Sequence, residues 1–134
     1  LSEKPGPIAN ISRLLVFRLD GKASLPPAPP LARLPIDPPA FGGTEAQVRT
    51  GGYDFGRYCS QCHGDAAIGA SLVPDLRRSA MLQAADAWNT VVRDGVLKDN
   101  GMVGFADTLS PNRIEAIRQY VIRRANEDKA LGGP

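Results

Sequence analysis

The sequence predicts an all-α domain entered through an extended, proline-rich arm. Three observations carry this. Apolar residues recur at helical spacing in three segments, near 48–62, 83–93 and 110–125. Nine of the 12 prolines fall in the first 39 residues, where proline excludes both helix and central strand because it lacks the backbone donor and fixes φ. One stretch alone reads as a strand, with nothing convincing to pair with it. At 134 residues the chain is one domain's worth of sequence with an appendage.

The strand candidate is Ser12 to Leu19, SRLLVFRL. Leu15, Phe17 and Leu19 point one way and Leu14 and Val16 the other, which suits a strand buried on both sides. Asp20-Gly21 then signals a turn. A strand without a partner is read as the remnant of a larger β domain upstream, in preference to a strand packing alone on the helices. Leu25 to Pro39, LPPAPPLARLPIDPP, reads as an extended polyproline-like connector. Charge divides there too: residues 1–42 carry five basic and three acidic side chains, the remainder eleven of each. The expected organisation is a β remnant over 1–24, a linker over 25–43 and a helical domain over 44–134. Trimming residues 1–42 is expected to leave the C-terminal domain's site intact.

The first helix starts near Thr44, an N-cap followed by Glu45 in the first turn. Val48, Gly51, Gly52, Phe55, Cys59 and Cys62 form its stripe, which places both sulfurs on the buried face. Each glycine costs about 1 kcal/mol relative to alanine inside a helix; another helix crossing in close contact explains them, and the alternative is a helix that begins after them. Gly64 to Pro74 reads as a loop. A second helix runs from about Gln83 to Arg93, with Ala84, Trp88, Val91 and Val92 inward, and ends before Gly95. Trp88, the only tryptophan, is read as a packing residue rather than an electron relay. The last helix has Ser110 as N-cap and Pro111 at its first position. Ile114, Ile117, Val121 and Ala125 form its stripe, with Arg123 and Arg124 near its C-terminus. It is expected to cross the first helix at the glycines, Tyr120 against Phe55.

The chemistry concentrates in Cys59-Ser60-Gln61-Cys62-His63, which holds both cysteines and the single histidine. C-x-x-C-H is the attachment signature of a c-type haem. Two cysteines three apart on a helical turn share one face, so both sulfurs reach one porphyrin edge as thioethers. The histidine that follows is carried under the ring to ligate iron. A structural zinc wants four Cys or His ligands, and this chain offers three. A redox dithiol of thioredoxin type needs a βαβ context that is not visible, and a disulfide leaves His63 unexplained. Haem c is the favoured reading; a dithiol and a metal site stay as alternatives.

A net charge of +2 is too small to argue for nucleic acid or an anionic membrane, and no apolar run approaches the ~18–20 residues of a membrane span. Covalent haem attachment implies maturation outside the cytoplasm, the periplasm in a bacterium. The chain lacks both an initiator methionine and a signal peptide and is read as a mature form or an excised fragment.

An electron carrier needs a second strong ligand opposite His63. Methionine is the natural choice, since it favours Fe(II) and raises the potential relative to a second histidine. Met102, in the glycine-flanked loop Asn100-Gly101-Met102-Val103-Gly104-Phe105, is chosen over Met81, which directly precedes the second helix and is read as a core gap-filler. Arg77 or Arg78 could pair with a haem propionate, solvated surface arginine being the commoner outcome.

The segment Gly51 to Asn126 resembles a class I c-type cytochrome, through GGYDFGRYCSQCHG, VPDL, W-x-x-V-V-x-x-G, GMVGF and IRQYVIRRA. The resemblance implies a helical bundle around one covalent haem, with Cys59 and Cys62 as its linkages, His63 proximal and Met102 distal. It implies that the Pro74 carbonyl orients His63, and that Trp88 packs at the cofactor. Val103 stands where many members have proline. RLLVFRLDGKASLP, the connector, PDLRRS and GMVGF look like the C-terminal part of a quinohaemoprotein alcohol dehydrogenase. In such enzymes a β-propeller binds pyrroloquinoline quinone (PQQ) and calcium, and leads through a linker to a cytochrome domain. The implied role is single-electron transfer, from the PQQ site to an external periplasmic acceptor such as a small copper protein or another cytochrome. The exposed haem edge near the Cys59–Cys62 turn is the implied exit. PQQ, calcium and the catalytic base belong to a part this chain does not contain, so alone it is not expected to oxidise alcohols. The alternatives are a free-standing diffusible cytochrome c and a haem peroxidase or gas-binding sensor.

Overall fold

Thr44 opens the first helix as its context predicts. Its hydroxyl accepts from the Gln47 N–H at 3.2 Å, and the Gln47 side chain accepts from the Thr44 N–H at 2.8 Å, a reciprocal cap. The computed structural model of the chain describes residues 14, 16–25, 34–69 and 73–132. Among them are four α-helices and no strand: α1 (Glu45–Tyr58), α2 (Ser60–His63), α3 (Ala85–Val92) and α4 (Pro111–Ala130). Short 3-10 turns over Asp65–Ala67, Leu76–Arg78, Ala80–Gln83 and Lys98–Asn100 link them.

α1 and α4 form the frame. Gly51 is buried, and a Cβ there would lie 1.9 Å from the Ala116 carbonyl oxygen. The helix axes therefore approach to a distance only glycine permits. One turn on, the Phe55 and Tyr120 rings meet with centroids 5.3 Å apart, within the range of favourable aromatic pairs. Ile114, Ile117, Val121 and Ala125 are all buried beneath this crossing. At its edge Asp54, 1% exposed, is held by the Arg113 guanidinium, whose Nε donates to Oδ2 at 2.8 Å. Arg113 pairs what would otherwise be an uncompensated buried carboxylate.

α3 is shorter than expected. Ala84 is exposed and extended (φ −137°, ψ 131°), and it separates the Ala80–Gln83 turn from the helix proper. Trp88 and Val92 face the core, and the Trp88 indole N–H donates to the Ile114 carbonyl at 3.3 Å, tying α3 to α4. Pro111 is the first residue of α4, but Ser110 caps it through its backbone: its carbonyl accepts from Arg113 and Ile114 at 3.0 Å each, and its hydroxyl makes no cap bond.

The strand expected over 12–19 is not formed at residues 14 and 16–19; Ser12, Arg13 and Leu15 lie outside the described residues. Leu14, Val16, Phe17 and Leu19 are 86–94% exposed. A strand needs a partner edge for its backbone groups, and no described residue supplies one. The turn at Asp20-Gly21 does form, the Gly21 N–H donating to Arg18 at 3.2 Å.

Residues 34–43 lie against the helices. Ile36 is 7% exposed and belongs to the core. The Asn126 amide donates to the Pro39 carbonyl at 2.9 Å, the Gln83 amide to the Asp37 carbonyl at 2.7 Å, and Lys129 reaches Asp37 at 3.0 Å. Arg123 stacks on Phe41, 4.6 Å from the ring centroid. Residues 34–43 thus share in the packing of the helices. Removing 1–43 uncovers the seat of Ile36, and burial of one such side chain contributes about 1.5–3 kcal/mol.

Candidate cofactor site

α1 ends one residue before the first cysteine. Cys59 (φ −119°, ψ −35°) closes α1 and opens α2, with its N–H donating to Phe55 and its carbonyl accepting from His63, each at 2.9 Å. The bend at Cys59 takes Cys62 off the α1 stripe. Cys59 is buried as expected, whereas Cys62 is exposed, so the expectation of two sulfurs on one buried face is corrected for Cys62. Both nevertheless line one cavity, together with His63. Burial, then the Asp54 charge and Cys62, push the Cys59 thiol up to about 12, so it stays protonated at neutral pH.

The cavity measures about 680 Å³, inside the ~300–1,000 Å³ span of small-molecule and cofactor pockets. Among the described residues that line it, His63, Ser79, Thr90 and Asn100 are polar and none is charged. His63 is 7% exposed, and its Nδ1 faces the Pro74 carbonyl at a long 3.4 Å. A donor role for Nδ1 leaves Nε2 as the nitrogen free to ligate. Burial lowers the His63 pKa and the Pro74 contact opposes it, the net shift being downward, so the ring is neutral, as a metal ligand must be.

Opposite elements complete the wall. Trp88, Val91 and Val92 come from α3 and Ile117 from α4. Met102 is half-buried and lines the cavity from the loop after Lys98–Asn100, its N–H donating to Leu97 at 3.2 Å. Met81 also lines the cavity and is 40% exposed. Cys59, Cys62, His63, Pro74, Trp88 and Met102 are thus all brought to one cavity.

Arg77 and Arg78 are not on the cavity wall. Arg77 is buried; its Nε and Nη2 donate to Asp75 at 2.8 and 2.6 Å, and Nη1 pairs with Asp128 at 3.0 Å. Arg78 also pairs with Asp75, at 3.4 Å, and donates to the Leu34 carbonyl. Neither is the solvated arginine that sequence suggests; together they brace the Leu76–Arg78 turn against α4 and the arm.

The residues fit a haem. The cavity is apolar, two thiols sit at its wall, and a buried imidazole with one nitrogen engaged shares that wall with a thioether. Among the described residues no cluster of three or more His, Cys, Asp or Glu side chains is arranged to hold a metal ion. Asp54 and Ile36 were invisible in the sequence. Nothing local marks a buried aspartate on a helix or a core isoleucine between prolines.

The family described as "Cytochrome C oxidase, cbb3-type, subunit III" matches residues 46–121. The quinohemoprotein alcohol dehydrogenase ADH IIB of Pseudomonas putida is 43% identical over 125 residues, covering 92% of this chain and 18% of that protein. The dehydrogenase subunit of the alcohol dehydrogenase (quinone) of Acetobacter aceti is 42% identical over 118 residues, 88% of this chain and 16% of that one. The solved structure of the quinohemoprotein alcohol dehydrogenase ADHIIG from Pseudomonas putida HK5 superposes with a TM-score of 0.64 at 32% identity, over 84% of this chain and 16% of that one. The chain spans less than a fifth of the length of each of these relatives.

Proposed function

From the premise that the chain belongs to the cytochrome c family described as cbb3-type oxidase subunit III, a family that carries covalent haem c, we propose that it is the electron-transfer domain of a quinohaemoprotein alcohol dehydrogenase. It takes electrons from the PQQ site of a dehydrogenase domain and passes them to a periplasmic acceptor, a small copper protein or a second cytochrome. One observation carries the reading. The two thiols, the sole histidine and a methionine from a separate loop converge on one apolar cavity.

Within it, Cys59 and Cys62 would hold the haem covalently. His63 Nε2, oriented by the Pro74 carbonyl as outer-shell partners orient metal-bound imidazoles, and the Met102 sulfur would be its iron ligands. When bound, the haem supplies one-electron chemistry through the ferric and ferrous states of its iron. The chain's part is placement and exclusion of water. Trp88, Val92 and Ile117 keep the wall dry, and the neutral His63 needs no proton release to ligate. Methionine in place of a second histidine sets a higher potential. Cys62, exposed at the cavity, supports an exit for electrons on that side.

The arm fits the same reading. Leu14, Val16, Phe17 and Leu19 are apolar and solvent-facing, as the last strand of an adjoining β domain is when separated from its sheet. We assign residues 1–24 to that domain, 25–43 to the connector and 44–134 to the cytochrome domain. PQQ and calcium belong to the dehydrogenase part. The test mixes the matured chain with that part, loaded with PQQ and calcium, and adds a primary alcohol. Haem reduction that requires all three components is expected. A haem that stays oxidised, while the dehydrogenase part reduces an artificial dye, contradicts the proposal.

A further inference from the structure

The loop that carries Met102 is pinched at its base by two glycines. Gly95 and Gly104 lie backbone to backbone. A Cβ on Gly104 would stand 2.9 Å from the Arg93 carbonyl oxygen and 3.0 Å from both the N and Cα of Gly95. A Cβ on Gly95, which has φ +67°, would stand 2.8 Å from the Gly104 nitrogen. Real Cβ atoms do not approach backbone so closely, so both positions demand glycine. Just outside the pinch the two chain segments are pinned: the Phe105 N–H donates to Val92 at 2.9 Å and the Ala106 N–H to Arg93 at 3.2 Å. The Phe105 ring meets Tyr58 edge-on, centroids 6.1 Å apart, which ties the neck to the residue preceding Cys59.

Residues 95–104 are therefore a closed loop on a rigid neck, with Val96, Leu97, Asn100, Gly101 and Met102 on the cavity wall. Met102 lies two residues from Gly104. The loop's own bonds, Met102 N–H to Leu97 and Lys98 N–H to Gly95, couple the Met102 backbone to the neck. Gly104 makes room for Gly95, and Gly101 lines the cavity.

We propose that the Gly95–Gly104 neck sets the position of Met102 and so governs whether its sulfur reaches the iron. Gly95 and Gly104 are positioning residues, acting through Met102. This rests on the reading of Met102 as distal ligand. The test compares the matured ferric proteins by the weak far-red methionine-to-iron band, the reduction potential and carbon monoxide uptake by the ferrous form. Gly104→Ala is expected to keep covalent haem and helix content, to lose most of the far-red band, to lower the potential and to open the ferrous iron to carbon monoxide. Gly56→Ala, where a Cβ meets nothing within 4 Å, is expected to match wild type in all three.

In a Met102→Ala background Gly104→Ala should change nothing further, since residues acting through one group are non-additive. An unchanged band in Gly104→Ala, or an effect that persists in full without Met102, overturns the proposal. If Met102→Ala itself keeps the band, it is the ligand assignment that fails. Should Gly104→Ala not accumulate, Phe105→Leu loosens the neck from Tyr58 without adding atoms to it; an intact band and potential there likewise overturn the proposal.

Discussion

Gly51→Ala is expected to destabilise the protein strongly, although alanine is the better helix former by about 1 kcal/mol. The added methyl would sit 1.9 Å from the Ala116 carbonyl and 2.9 Å from the Ile117 nitrogen. Both obstacles are backbone, so neither can rotate aside as a side chain would, and α1 must move away from α4. Overpacking of a core typically costs about 1–3 kcal/mol, and this site belongs at or above the top of that range. Separation of the helices also parts Phe55 from Tyr120 and Asp54 from Arg113. Against a total stability of roughly 5–15 kcal/mol the loss is large. Gly56→Ala, on the same helix with open space around its Cβ, should instead leave stability equal or raised. Denaturant midpoints of the two variants check the pair, and equal midpoints would show that the crossing is not as close as described.

Met102→Ala is expected to have the largest effect on the electron carrier's properties while leaving the fold in place. The side chain is half-buried on a loop, so truncation removes little packing, but it removes the thioether from the wall facing the cofactor. The potential should fall, the far-red band should vanish and the ferrous form should take up carbon monoxide. Met81→Ala should do none of these, although Met81 lines the same cavity. It stands in the Ala80–Gln83 turn before α3, not in the loop that carries Met102. A lost band in Met81→Ala and a retained one in Met102→Ala would exchange the two roles.

What the sequence disclosed was local or nearly so. Thr44 and Pro111 announce helix starts because capping depends on residues within one turn. The stripe Ile114, Ile117, Val121 and Ala125 follows from helical periodicity alone. Gly51 and Gly52 pointed to a helix crossing because their cost needed a reason. C-x-x-C-H named its cofactor through covalent spacing. The contacts that stayed hidden join residues far apart in the chain. Asp54 is paired from 59 positions away, and Arg77 is buried through Asp128. Ile36 gives no periodic signal among prolines, since one apolar residue in an extended arm has no face. Cys62 was misplaced because a stripe drawn through Cys59 assumes a straight helix, and the chain bends there. The strand at 12–19 has a strand's pattern, but pattern cannot supply a partner edge.

The central claim is that this cavity holds a covalently tethered haem gripped between His63 and Met102. The most direct measurement is the absorption spectrum of the ferric protein after export with cytochrome c maturation. A haem spectrum with the far-red methionine-to-iron band, its colour surviving denaturing electrophoresis, is the predicted result. A colourless polypeptide with two free thiols would contradict it.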